Sequence, residues 1–150
     1  MDYQLAQINV ASMIGASLED PVMHDFNSNL DRVNALAESS PGFIWRWKEE
    51  AAEDAGEDPF GDPRLIVNIS VWESVEKLEA FTYKTFHSQF VRRRKEWFRH
   101  FGQAYYALWW VSAGQYPTVQ QCKEKLDLLQ KKGPSPEAFN FKQRFPAPIK

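Results

Sequence analysis

The sequence predicts one α+β domain with the element order β-α-β-β-α-β, followed by a further helix and an extended tail. Three observations predict it. Period-two alternation marks strands at Gln4 to Ala11, Phe43 to Lys48, Arg64 to Trp72 and Tyr105 to Ser112. Apolar residues at helical spacing follow the first and third of these strands. The length of 150 residues, 43% of them hydrophobic, is enough for one self-sufficient core.

The elements follow in order. In the first strand Ala6, Ile8 and Val10 point one way, and Leu5, Gln7, Asn9 and Ala11 the other. Asp20-Pro21 reads as an N-cap with proline at the first helical position. Val22, Met23, Phe26, Leu30, Val33 and Leu36/Ala37 then recur at helical spacing to about Glu38, and Ser39-Ser40-Pro41-Gly42 stops the helix. The second strand puts Phe43, Trp45 and Trp47 on one face, with Ile44, Arg46 and Lys48 on the other. Glu49 to Asp62 carries seven acids and no apolar period, so a long solvated loop is expected; the acids lack the ligand spacing of an EF-hand.

The third strand alternates most clearly, with Leu65, Val67, Ile69 and Val71 against Ile66, Asn68, Ser70 and Trp72. Ser74 caps a helix carrying Val75, Leu78 and Phe81. A second helical stretch is expected from Thr85 to Phe101, because Phe86, Phe90, Trp97 and Phe101 fall within about 60° on a wheel. The fourth strand offers two rows, Tyr106/Leu108/Trp110 and Tyr105/Ala107/Trp109, and alternation does not say which is inside. Thr118 and Gln121 form a capping box opening the last helix, which ends at Lys131-Lys132-Gly133. The tail from Pro134 has four prolines and three phenylalanines and is expected to pack as an arm over its own domain or a partner.

This order is the split βαβ, ferredoxin-like arrangement. With the helices on the aliphatic face of the sheet, the other face would be bare, and a second copy of the same sheet is the simplest cover. A homodimer is therefore expected.

Composition narrows the function classes. A net charge of -2 and a pI near 5.9 argue against nucleic acid, which selects a basic patch. Cys122 is the single cysteine, so neither an internal disulfide nor a cysteine zinc site is expected. No apolar run reaches membrane-spanning length, and Asp2 stands where a signal peptide would carry basic residues. A cytoplasmic protein is expected. The aromatic content of 15%, with six tryptophans, is more than a core of this size needs.

Several passages resemble one bacterial family: LAQINVA (Leu5 to Ala11), SPGFIWRW (Ser40 to Trp47), VNISVWESVEKLEAF (Val67 to Phe81), HSQFVRRRKEWF (His87 to Phe98), LWWVSAGQYPT (Leu108 to Thr118) and GPSPEAFNF (Gly133 to Phe141). Nearly the whole chain resembles the domain of unknown function 3291 family. The resemblance implies a dimeric α/β barrel similar to the antibiotic biosynthesis monooxygenases, with no agreed reaction. In that wider superfamily Pro41-Gly42-Phe43, Trp72 and His87 match recurrent positions, and Asn9 matches an asparagine of the haem-degrading members. Those members carry another tryptophan about eight residues beyond the one that ends the strand; here that neighbourhood is Ala80-Phe81, a departure that argues against haem degradation.

The candidate site follows from the alternation. Asn9 and Asn68, with Gln7 and Ser70, share a face with Trp72, and buried amides need partners: each other, water or a ligand. His87, beside Arg94 at the border of the apolar stripe, is the candidate acid/base or iron ligand; a histidine merely satisfied by a backbone carbonyl is the competing reading. Arg92, Arg93, Arg94 and Lys95 read as a solvated face apart from Arg94. Trp45, Trp72, Tyr106 and Trp110 would favour a flat aromatic or conjugated ligand. His24 and His100 are expected at the surface or in packing. No phosphate loop, nucleophile elbow or metal-ligand spacing occurs. The expected function is therefore a small-molecule enzyme, monooxygenase-like or isomerase-like and cofactor-independent, in which His87, Asn68 and Arg94 act and the aromatics with Asn9 bind. A protein that binds haem or another hydrophobic small molecule without catalysis is the alternative, and a dimer with its barrel filled by side chains is the third reading.

Overall fold

Strand β1 (Tyr3–Ser12) holds the fold together because both of its edges are paired. In the computed structural model, which describes residues 2–48, 60–62, 64–85 and 87–148, β1 lies between β3 (Leu65–Trp72) and β4 (Tyr106–Ser112), and β2 (Phe43–Arg46) joins the outer edge of β3. All three pairings are antiparallel, and the order is β2-β3-β1-β4. Helices complete a mixed α+β domain: α1 (His24–Ser39), α2 (Val75–Lys84), α3 (His87–Arg92) and α4 (Val119–Lys132). No helix among the described residues is long and apolar enough to cross a membrane.

The helix ends follow the capping chemistry. Asp20 accepts a bond from the Val22 amide over a short 3₁₀ turn, Pro21–Met23, that leads into α1. Ser74 caps α2 through the Lys77 amide. Both halves of the Thr118/Gln121 capping box are formed at α4, which ends at Gly133 with φ 75°. The turn into β2 requires glycine: Gly42 has φ 86°, and a Cβ there would stand 2.5 Å from the Lys77 side chain.

The two sheet faces are covered by different helices, which corrects the expected arrangement. On the aliphatic face Ala6, Ile8, Val10, Ile69, Val71, Ala107 and Trp109 are buried against Val119, Cys122, Leu126 and Leu129 of α4. Each of those helix side chains stabilises the contact by roughly 1.5–3 kcal/mol, less for the small Cys122. Helices α1 and α2 instead lie over the face of Leu5, Trp72 and Leu108, contributing Ala37, Val75, Leu78 and Phe81. The face expected to be bare is thus covered by α1 and α2. The C-terminal helix covers the aliphatic face over β1 and β4, while Ile44, Trp45, Trp47, Leu65 and Val67 towards β2 and β3 stay half-buried.

Three further expectations change. The Thr85 to Phe101 helix is broken into α3 and a 3₁₀ turn, Arg94–Glu96; Phe86 lies outside the described residues. The break lets Trp97 bury beside Met13 and Met23, while the Ile14 and Arg99 amides bond back across to Trp97 and Ser12 carbonyls. The acidic loop lies almost wholly outside the described residues. The tail packs on its own domain: Phe139 exchanges two backbone hydrogen bonds with Leu108, at 2.8 and 2.9 Å, and covers the free edge of β4.

Candidate functional site

Between the sheet and helices α1 to α3 lies a cavity of about 210 Å³. Its floor is set by cross-strand register. Gln7 stands opposite Ser70, and Asn9 opposite Asn68, so these four polar side chains project from the same face. Next to them Trp72 pairs with Leu5 and Phe43, while β4 adds Leu108 and Tyr106. The helices supply the roof, from Phe26 and Val33 through Leu78 and Phe81 to His87 and Phe90.

The floor is hydrogen-bonded within itself. The Gln7 amide donates to Asn68 Oδ1 and to Ser70 Oγ, both at 2.7 Å. Asn9 donates to Gln7 Oε1 at 3.1 Å and, more weakly, towards Asn68 Oδ1 at 3.4 Å. The Trp72 indole N–H donates to Ser70 Oγ at 2.8 Å. Ser70 thus accepts twice, which lets Gln7 and Trp72 be buried without an orphan donor. The Asn68 amide N–H groups and the Asn9 carbonyl oxygen have no such bond among the described residues, and both residues line the cavity. Both sides of the sequence-based alternative are therefore present: an internal network, with polar groups left over.

His87 resolves in the same double way. Its Nδ1 lies 3.1 Å from the carbonyl oxygen of Thr82, in the last turn of α2, where helix carbonyls lack helical partners. A carbonyl only accepts, so Nδ1 carries the proton and Nε2 holds the lone pair. Phe81 packs at 4.8 Å from the imidazole and stacks in turn on Trp72 at 5.2 Å. Burial lowers the His87 pKa below its ordinary value, and the Thr82 bond, which works the other way, is the smaller effect. The ring is held neutral, oriented, and with a basic nitrogen on a cavity-lining residue.

Arg94 also lines the cavity, its guanidinium 4.2 Å from the Tyr105 ring. Its neighbours divide as a solvated face would: Arg92 and Lys95 are exposed, and Arg93 pairs with Asp25 and Glu96. His24 and His100 are exposed. Tyr106 lines the cavity, its hydroxyl accepting from the Phe141 amide at 3.1 Å, and burial raises its pKa. Cys122, on α4, packs on the aliphatic face away from the cavity, its thiol pushed up to about 12 by burial, and is no nucleophile. Among the described residues no group of three or more His, Cys, Asp or Glu side chains is placed to hold a metal ion.

Two expected binding residues lie elsewhere. A β-bulge between Phe43 and Trp45 breaks the alternation of β2, so Trp45 pairs with Val71 and turns to the aliphatic face, where it stacks on Tyr116 at 4.9 Å. Trp110 is on the cavity's face of the sheet but outside its lining, because the tail covers it: its indole donates to the Phe145 carbonyl at 2.9 Å. The same bulge brings in a residue that alternation assigned to the opposite side. Arg46 pairs with Ser70 and lines the cavity. The signal that could have found it is Gly42-Phe43 itself, since a tight turn at a short edge strand is where bulges concentrate.

A solved structure described as that of PA3566 from Pseudomonas aeruginosa is similar at 14% identity and a TM-score of 0.49, covering 79% of this chain and 98% of that one. No curated protein matches. The passages that build the floor and roof, from Leu5 to Phe141, fall inside one family match: over residues 4–150 the chain fits the domain of unknown function DUF3291, and it belongs to that family.

Proposed function

We propose that the cavity binds a small aromatic or conjugated molecule and that the protein is an enzyme acting on it by proton transfer. The observation that carries this reading is His87, with Nδ1–H committed to the Thr82 carbonyl, a lowered pKa, and Nε2 free to take a proton. The leftover Asn68 amide and Arg94 would stabilise the anion formed when Nε2 removes a proton from the bound molecule. Returning that proton to a different atom is an isomerisation and needs no further reactant; oxidation of the same anion would need dioxygen, as the likeness to the antibiotic biosynthesis monooxygenases implies.

Size supports a ligand of one or two rings. An apolar protein cavity of about 150 Å³ admits benzene, so 210 Å³ takes a ring with substituents or a fused pair. That volume favours a ligand of one or two rings over a tetrapyrrole. The strand order β2-β3-β1-β4 supports reading the fold as ferredoxin-like. The dimeric barrel rests on the family resemblance; half-buried Ile44, Trp45 and Trp47 beside α4 are the apolar surface a second copy would use.

The test is mass spectrometry of small molecules released from the purified protein, followed by NMR of the released compound in D₂O with fresh protein. Exchange of a carbon-bound hydrogen that His87→Gln abolishes while still binding the compound supports the enzyme. Binding without exchange reduces the protein to a carrier. A Soret band formed with haemin and lost in His87→Ala would restore the haem reading.

A further inference from the structure

Arg46 is the cation that the cavity's other groups do not explain. Its Nε is buried and makes no hydrogen bond; the Glu38 carboxylate forms a loose ion pair with it at 3.6 Å, too long for a hydrogen bond. The side chain is only 22% exposed, so water does not surround it. Glu38 itself is 42% exposed and lies outside the lining. Across the sheet, three strands away, stands Arg94 at the β4 end of the same cavity. No aspartate or glutamate is among the described lining residues. The cavity therefore has a cation on β2 and another on the 3₁₀ turn near β4, a neutral histidine in its roof and no acid among its described lining residues; the one carboxylate paired with Arg46, that of Glu38, stands outside the lining.

A buried guanidinium N–H is made to meet an oxygen, and a carboxylate matches the planar fork best. We propose that the ligand is an anion, an aromatic or conjugated carboxylate whose charged group sits against Arg46 while its ring lies along Phe43, Trp72 and Phe81. The proposal rests on reading the cavity as a site for a small aromatic molecule, and adds the charge. It also accounts for the bulge in β2, which turns Arg46 inward at the position where regular alternation would turn it out. With the carboxylate held at the β2 end, the ring extends under the roof that carries His87.

The experiment is calorimetric titration of the full chain with matched pairs: benzoate, trans-cinnamate and 1-naphthoate, each against its neutral carboxamide. At least one acid is expected to bind roughly ten- to a hundredfold more tightly than its amide, the range of a charge-assisted hydrogen bond. Arg46→Gln should erase that preference, and Arg46→Lys should keep part of it, because the charge survives and the fork does not. A circular-dichroism melt of each variant, with retained binding of the amide, shows that the pocket is intact. Acid and amide binding equally well to the wild type would overturn the anion and leave the aromatic pocket standing. A preference that persists in Arg46→Gln but is lost in Arg94→Gln would overturn the assignment to Arg46. No binding by any of the six would overturn the aromatic pocket and the charge together.

Discussion

Replacing Ser70 by alanine removes one oxygen and orphans two donors. The hydroxyl accepts from Gln7 Nε2 at 2.7 Å and from the Trp72 indole at 2.8 Å, and Gln7, Ser70 and Trp72 are all buried. A buried donor left without an acceptor costs about 1–3 kcal/mol. Gln7 keeps its bond to Asn68, and the adjoining cavity admits a water to one of the two donors at modest cost. The expected destabilisation of Ser70→Ala is therefore about 2–4 kcal/mol, against less than about 1 for Ser70→Thr, which keeps the oxygen. For a domain of this size that is a loss of roughly 5–15 °C in Tm. Urea denaturation followed by tryptophan fluorescence and circular dichroism measures it. Adding Trp72→Phe removes one orphaned donor, so the double variant should be less destabilised than the sum of the singles by about 1 kcal/mol or more. A change below 0.5 kcal/mol (about the scatter of a surface substitution) in Ser70→Ala, with additive behaviour in the double variant, would refute the claim that this hydroxyl satisfies the floor.

Other outcomes follow from the same geometry. Because burial holds the folded-state pKa of His87 below its unfolded value near 6.5, the unfolded chain binds the extra proton first; stability is full above that value and falls as pH drops through the folded pKa. The urea midpoint of the wild type should thus fall more between pH 7.5 and 5 than that of His87→Gln, and equal falls would contradict the burial. Phe139→Ala should cost about 3–5 kcal/mol, since the ring is wholly buried against Leu5 and Leu108. Arg144→Ala, which breaks ion pairs with Glu76 and Glu79 at the surface, should cost less than about 1 kcal/mol. Thermal melts of the two variants separate the tail's apolar anchor from its ionic one, and a reversal of their order would show that the tail is not held as described.

Much of this arrangement was legible from alternation and capping. The β3 strand separates Leu65, Val67, Ile69 and Val71 from Asn68, Ser70 and Trp72 with no exception, and β1 does the same for Gln7 and Asn9; the cavity lies on the face those polar residues name. What alternation could not show was which helix covers which face. Any amphipathic helix fits an aliphatic sheet, and α4, beyond the β-α-β-β-α-β unit, took the place assumed for α1 and α2. Nor could it show the bulge in β2, a one-residue change that exchanged Trp45 for Arg46 in the cavity. The broken helix after Thr85 fails for a related reason: apolar spacing continued through it, but Trp97 found its partners in Met13 and Met23, on a different path from that of α3. His87 lines the cavity although the helix stripe expected beside it is broken, and the acceptor that fixes its tautomer, Thr82, is a backbone group with no trace in residue pattern.

The most direct test of the account is the protonation state of His87, read by long-range ¹H–¹⁵N NMR of uniformly labelled protein at pH 7 with His87→Gln used for assignment. A neutral ring protonated on Nδ1, with the Nε2 resonance moving when an aromatic carboxylate is added, is the predicted result. An imidazolium, or a ring protonated on Nε2, would leave the cavity without its base and contradict the proposed chemistry.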